Sequence, residues 1–236
     1  MLRKLFNLFG YTLTRPHKSI LIEEIIKLRL KNFPTDILLD VGANKGLFTK
    51  CFINEFKDFH LFEPNPDLVK FLKDQFITNN YKIMNFGTGN ANEKILLNIT
   101  NDNSSSLSSI KEQTAELRNN FRNTNIIKKV EVEIKRLDDY LNKIELNQKT
   151  IFLKIDTQGN DFETLIGLGK YIKNVNFIKI EMPCINLYNS SYNHWDILDY
   201  LKNNNFMPVY FENISRTKNG QLIEYDCFFE KKDLIN

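Results

Sequence analysis

The residues best suited to chemistry in this sequence form a turn, Asp40-Val41-Gly42-Ala43-Asn44-Lys45-Gly46, directly after the apolar run Ile37–Val41. Gly42 permits a tight turn off a strand. Gly46 lets a helix start close to a sheet, or lets a ligand approach the backbone. Dinucleotide-binding turns use GxGxxG to seat a pyrophosphate on a helix N-terminus. Here the third glycine is missing, and so is the GK[ST] ending of a P-loop. A looser turn headed by an acid suits a ligand with an amino-acid moiety and no pyrophosphate. S-adenosylmethionine is such a ligand, because its ammonium group seeks carboxylates and carbonyls. Glu63 adds to this. It ends the next short apolar run, His60-Leu61-Phe62-Glu63, where an acid can accept hydrogen bonds from both ribose hydroxyls.

These groups need a frame that brings strand ends together. Residues 17–32 carry Ile20, Leu21, Ile25 and Leu28 at helical steps, and Pro34 ends that helix. Ile37–Val41 reads as a strand buried on both faces. Helices are expected over 46–56 and 67–76, a second strand at His60–Glu63, and a third at Lys82–Phe86, before Gly87-Thr88-Gly89. Lys94–Thr100 and Val130–Ile134 read as further strands. The Asn/Ser/Thr-rich stretch between them reads as a polar loop with one helix over about 107–122, and a short helix starts at Leu137. Alternation then resumes: strand Ile151–Asp156, helix Phe162–Leu168, strand Phe177–Met182, helix Trp195–Asn203. Strands Met207–Phe211 and Tyr225–Glu230 close the chain as a hairpin turning at Lys218-Asn219-Gly220. Strands alternating with helices predict a parallel, doubly wound α/β sheet.

Composition excludes several other classes. With 32 basic and 29 acidic residues the net charge is +3, and no long Lys/Arg run marks a nucleic-acid surface. Apolar content of 42% and charged content of 26% are those of a globular chain, not a disordered one. Cys51, Cys184 and Cys227 form no CxxC pair, which argues for buried, reduced thiols in a cytoplasmic protein. No stretch reaches the roughly 18 apolar residues of a membrane span. Residues 1–34 read as an N-terminal helical appendage and 35–236 as the main domain, with an inserted lid at about 90–135. Leu2, Leu5, Phe6 and Phe9 lie at helical spacing among basic residues. Two partners stay open for residues 1–15: an anionic membrane surface at the inner face, or a protein surface, on this domain or on the twin subunit of a homodimer.

Taken in order, several motifs resemble the FkbM family of methyltransferases. They are the Asp40–Gly46 turn, Phe62-Glu63-Pro64-Asn65-Pro66, Arg136-Leu137-Asp138-Asp139-Tyr140, Lys154-Ile155-Asp156-Thr157-Gln158-Gly159 and Glu163-Thr164-Leu165-Ile166-Gly167. The resemblance covers roughly residues 35–230. It implies an S-adenosylmethionine-dependent enzyme of the class I, Rossmann-like fold, with a mostly parallel seven-stranded sheet and an antiparallel edge hairpin. It implies that Asp40, Gly42, Ala43, Asn44 and Gly46 form the cofactor loop, that Glu63 holds the ribose, and that Pro64 shapes the turn beside the adenosine. Gly87 would let the adenine lie near the backbone. Asp156 ends the fourth strand at the mouth of the cleft, where the resemblance and the carboxyl edge of such a sheet both put the reacting methyl. Many relatives carry an acid where Gln158 stands.

Methyl transfer asks chiefly for alignment of donor and acceptor, and a hydroxyl acceptor gains from a general base. Asp156, Glu181 at the end of the fifth strand, and His194 before the next helix are the candidates. Asp156, Glu181 and Asp226 are hard oxygen donors, but no HxH or HExxH pattern accompanies them, and no metal site is assigned. Gln158, Tyr188, and Ser104 and Ser105 of the polar segment are the expected substrate-binding residues. The expected function is O-methylation of a sugar, glycan or other small-molecule hydroxyl in a polysaccharide or natural-product pathway, with no nucleic-acid partner. Two other readings are a non-catalytic glycan-binding or scaffold protein that keeps the fold, and an NAD-dependent oxidoreductase. The missing third glycine disfavours the latter.

Overall fold

The computed structural model describes residues 21–100, 108–121, 124–189 and 192–234. Its first half runs α1 (Ile22–Asn32), β1 (Ile37–Val41), α2 (Leu47–Cys51), β2 (Asp58–Phe62), α3 (Pro66–Gln75), β3 (Tyr81–Met84), β4 (Gly87–Thr88), β5 (Glu93–Thr100), α4 (Ala115–Asn120) and β6 (Ile126–Lys135). Then come α5 (Leu137–Leu141), β7 (Ile151–Ile155), α6 (Asp161–Gly167), β8 (Val175–Pro183), α7 (His194–Asn203), β9 (Phe206–Arg216) and β10 (Leu222–Lys231). Seven strands form one sheet in the order β3-β2-β1-β7-β8-β10-β9. All neighbours are parallel except β10, which runs antiparallel to β8 and to β9. This is the expected doubly wound α/β sheet with its edge hairpin.

The pattern of the strands explains the layers. Every residue of β1 and of β7 is buried, as in strands covered on both faces. Side chains alternate between the faces. Leu39, Val41, Leu153, Ile155 and Ile180 pack against Leu165 of α6 and Ile197 and Leu201 of α7. Leu38, Phe152, Phe177 and Phe228 face the other way, against Ile22 and Ile26 of α1, Phe52 beyond α2 and Leu72 of α3. On that face the Phe177 and Phe228 rings stack at 5.6 Å. Asp40 and Lys154 project from this same face, two residues beyond Leu38 and Phe152, and are register partners across β1 and β7. The order of the strands reverses between β1 and β7. That is the place where open α/β sheets bind ligands.

Four expectations shift. Helix α2 is shorter than 46–56; Phe48, Phe52 and Phe56 of that stretch pack inward, while Leu47 and Cys51 are exposed. Of the three thiols only Cys227 is buried. Gly87-Thr88 does not extend β3 but joins a second sheet, β4-β6-β5, whose apolar face is Leu97, Ile99, Val132 and Ile134. The helix between β5 and β6 is confined to Ala115–Asn120, capped by the Thr114 hydroxyl accepting from Leu117 N–H. Residues 1–15, with Ser104 and Ser105, lie outside the described residues. No helix among those described is long and apolar enough to cross a membrane.

Candidate active site

A cleft lies at the carboxyl ends of β1, β2 and β7. Its floor is the glycine turn. Gly42 has φ 71° and Asn44 φ 50°, so both lie in the left-handed region. The turn also passes very close to β7: a Cβ on Gly42 would stand 1.8 Å from the Asp156 carbonyl oxygen. Only glycine allows that approach. Gly42 and Asn44 line the cleft, together with Glu63, Pro64, Gly87 and Asp156. The slot beyond Glu63 is apolar, walled by Pro64, Leu68, Leu97, Ile110 and Ile134.

Asp40, Ala43 and Gly46 support this turn from below. Asp40 is fully buried; the Thr49 hydroxyl donates to its Oδ2 at 2.7 Å, and Lys154 Nζ lies 3.2 Å from its Oδ1. Ala43 belongs to the core. Gly46 opens α2 at φ 69°, and a Cβ there would press on the Phe76 ring at 2.5 Å. Its lack of a side chain therefore serves helix packing.

Glu63 is nearly inaccessible, and its two oxygens accept from the backbone N–H groups of Asn44 and Asn65, each at 2.9 Å. One carboxylate thus locks the β1 turn to the β2 turn. Burial pushes it up to about 7, although those two N–H groups and Lys154 favour its ionised form. Each oxygen keeps a second lone pair, so the carboxylate can still accept from ligand hydroxyls.

Asp156 stands at the end of β7, and its side chain is 45% accessible through the cleft. Burial works against its charge. Lys154 beside it, the Gln158 amide and Lys179 outweigh that and hold it below the usual carboxylate range. Gln158 joins the acceptor-side residues into one network. Its Nε2 donates to Asp156 Oδ1 at 2.9 Å and reaches Glu181 Oε2 at 3.4 Å, and its Oε1 accepts from the Tyr188 hydroxyl at 2.8 Å. Gln158 and Gly159 take φ 55° and 95°, and a Cβ on Gly159 would strike the Tyr188 ring at 2.7 Å. Beyond them a smaller pocket is lined by Asp161, Glu181, Tyr188, Tyr192 and Glu224. Burial, then Glu224 and Asp156, push Glu181 well above the carboxylate range. Glu224 rises to about 7 and Asp161 to about 6, both chiefly through burial. The pair is therefore divided: Asp156 is ionised and suits a hydrogen-bond and proton acceptor for a hydroxyl, whereas Glu181 favours its protonated form.

Asp156, Glu181, Gln158 and Tyr188 are thus brought together. His194 is not among the residues lining either cavity; it opens α7 beside the Asn193 cap, its ring 4.4 Å from that of Trp195. The inserted segment reaches the cleft through Ser108 and Ile110, and the Ser109 hydroxyl donates to the Gln158 carbonyl. Lys111 pairs with Glu163 at 2.8 Å. Sequence reasoning missed Ser108, Ile110, Asn160 and Lys154. Only Lys154 carried a signal, as a lone charge in the apolar run Ile151–Ile155. Asn160 lines the cleft and donates to the Thr88 carbonyl at 2.7 Å, tying β4 to α6. Among the described residues no group of three or more His, Cys, Asp or Glu side chains is arranged to hold a metal ion.

Among solved structures the chain is similar to an FkbM methyltransferase from Methylobacillus flagellatus KT, with a TM-score of 0.50 and 14% identity over 84% of this chain. The chain spans 44% of that protein's length. An rRNA methylase from Streptococcus thermophilus matches with a TM-score of 0.46 and 11% identity, over 94% of this chain and 99% of the other. TrmK from M. capricolum, solved with S-adenosyl-homocysteine, matches with 0.44 and 10%, over 87% and 67%. No curated protein sequence matches. The profile described as the methyltransferase FkbM domain matches residues 40–208. Those residues carry the glycine turn, Glu63 and the Asp156–Gln158–Glu181–Tyr188 network, and the chain belongs to the FkbM methyltransferase family.

Proposed function

We propose that this protein transfers a methyl group from S-adenosylmethionine to a hydroxyl of a sugar, glycan or other small molecule in a polysaccharide or natural-product pathway. One observation carries the reading. A cleft at the strand-order reversal joins a glycine turn and the buried acid Glu63 on one side to Asp156 and Gln158 on the other, with Glu181 behind Gln158. The cofactor fits the residues present. Gly42 and Asn44 line the cleft along the turn, Glu63 offers acceptors for ribose hydroxyls, and the Pro64–Leu97–Ile134 slot is apolar enough for a flat base. When bound, the cofactor supplies an electrophilic methyl on a sulfonium. The chain's own part is to orient the acceptor hydroxyl on Asp156, take up its proton at that ionised carboxylate, and exclude water with the insertion that reaches over Gln158. The Tyr188 and Tyr192 rings in the smaller pocket favour a sugar face as acceptor.

Binding of S-adenosylmethionine by calorimetry tests the first half of the reading, and no binding to the wild type refutes it. Incubation with methyl-labelled cofactor and an extract of the source organism tests the second half. A product methylated on nitrogen refutes O-methylation. The protein is further proposed to work in the cytoplasm, without a nucleic-acid partner, and to touch an anionic membrane surface through residues 1–15. Deleting those residues should abolish pelleting with anionic liposomes and leave cofactor binding intact.

A further inference from the structure

Lys154 is a charged residue at the centre of the molecule. It sits in β7 between four apolar neighbours and is 5% exposed. A lysine there must find partners for its three protons. It finds them on two elements. Its Nζ donates to the Gly42 carbonyl at 2.8 Å and the Val41 carbonyl at 3.3 Å, and it lies 3.2 Å from Asp40 Oδ1 and 3.6 Å from Asp156 Oδ2. Three of these contacts belong to β1 and the glycine turn that floors the cleft. The fourth belongs to the carboxylate that opens into it.

Stability does not explain such a residue. Well-packed apolar side chains commonly replace a buried ion pair without loss, and the strand around Lys154 is apolar. What an apolar side chain cannot do is hold a backbone carbonyl of the turn and a carboxylate on the next strand with one group. We propose that Lys154 is a positioning residue that ties Gly42 to Asp156 and thereby sets where the Asp156 carboxylate stands in the cleft. Asp156 is then held from two sides, by the ammonium at Oδ2 and by the Gln158 amide at Oδ1. Burial alone would strip the Lys154 proton, but Asp40 and Asp156 hold it well above lysine's ordinary range, so the ammonium persists and keeps its neighbour ionised. The other charged groups around Asp156 are Lys179, paired with Asp226 at 2.6 Å, and the acids Asp161, Glu181 and Glu224. Without Lys154, the burial that opposes ionisation loses its largest counterweight, and the Asp156 midpoint rises. The catalytic meaning of this tie rests on the methyltransferase reading; the tie itself does not.

The test follows the carboxyl carbon of Asp156 by NMR in the ligand-free protein. Lys154→Met alone strands the buried Asp40, so it is combined with Asp40→Asn, which keeps an oxygen for the Thr49 hydroxyl. In the folded double variant the Asp156 midpoint should rise by at least one pH unit, a tenfold gain in proton affinity. An unchanged midpoint overturns the proposal. A second measurement does not depend on that variant folding. The Lys154 ammonium nitrogen should shift when Asp156→Asn is made at a side chain open to the cleft, and an unmoved signal also overturns the proposal. Titration with S-adenosylhomocysteine separates the two readings. If the wild type fails to bind it while Asp156 behaves as expected, the methyltransferase reading falls and the tie stands.

Discussion

The ribose-binding role proposed for Glu63 makes cofactor affinity depend on pH in a calculable way. The carboxyl is buried, and its ordinary value near 4.5 is raised to about 7. Its surroundings all bear on the proton: the Asn44 and Asn65 N–H groups and Lys154 favour ionisation, while burial and Asp40 oppose it. Ribose hydroxyls donate, so they should bind the ionised form, and binding should release a proton whenever Glu63 still carries one. At pH 6 about one Glu63 in ten is ionised, so affinity for S-adenosylhomocysteine should be about tenfold below its plateau above pH 8, or ~1.4 kcal/mol. Calorimetry at pH 6 in two buffers of different ionisation enthalpy should show close to one proton released per ligand, falling towards none at pH 8.5. Asp156 stays ionised through this range because Lys154 and Gln158 hold it low. Glu63→Gln should lose the charged acceptor, a loss of about 1.5–3 kcal/mol, and with it the pH dependence. A flat wild-type profile between pH 5.5 and 8.5, or a slope that survives in Glu63→Gln, refutes this assignment.

Three further outcomes are expected. Gly42→Ala puts a Cβ 1.8 Å from the Asp156 carbonyl at φ 71°, so the turn must move by more than an ångström and ligand binding should be lost. Gly220→Ala has φ 85° but nothing within 4 Å, so it should cost only about 1–2 kcal/mol of backbone strain and leave binding intact; calorimetry and melting curves on the two variants compare them. Tyr188→Phe removes the hydroxyl that holds Gln158 while keeping the ring against Gly159; labelled-methyl transfer should fall while S-adenosylhomocysteine affinity stays within about threefold, and stability should drop by about 1 kcal/mol. Finally, the melting temperature should be higher at pH 6 than at pH 8. Glu63, Glu224 and Asp161 have raised values of about 7, 7 and 6, so the stability they lend is present at low pH and lost as pH rises through those values. Buried His60, lowered to about 4 from 6.5, opposes this only as pH falls below 6.5 towards 4. The reverse order of melting temperatures would falsify this assignment of charge.

Much of the architecture was legible because it is written in local pattern. Ile37–Val41 and Ile151–Ile155 are continuous apolar runs, and strands of that kind lie buried at the centre of parallel sheets. Gly42, Asn44, Glu63, Pro64, Gly87 and Asp156, expected to share a site, line one cleft, whereas Ala43 and Gly46 are not among its lining residues. Each follows a strand end, and the strand order brings those ends to one edge. Asp40 was expected to meet the ligand as well. It is instead buried outside the cleft lining, held by Thr49 and Lys154. A sequence marks an acid before a glycine but not the depth at which the side chain comes to rest.

The sequence by itself determined the order of the elements, which faces of the strands are apolar, and the family to which the chain belongs. Those properties depend on neighbours a few residues away, or on motifs short enough to read directly. Tertiary structure alone decided the rest. It brought Gln158 between Asp156 and Glu181, and Tyr188 onto Gln158, across gaps no local pattern spans. It carried Ser108 and Ile110 of the insertion to the cleft by pairing β5 with β6 in a second sheet. It also gave Lys154 its meaning, because a lysine in an apolar strand is only an anomaly until the chain folds Asp40, Gly42 and Asp156 around it. The physical reason is one of range. Propensity and hydrophobic pattern act along the chain, whereas charge pairing, burial and the pKa values that follow act through space and exist only after the strands are assembled.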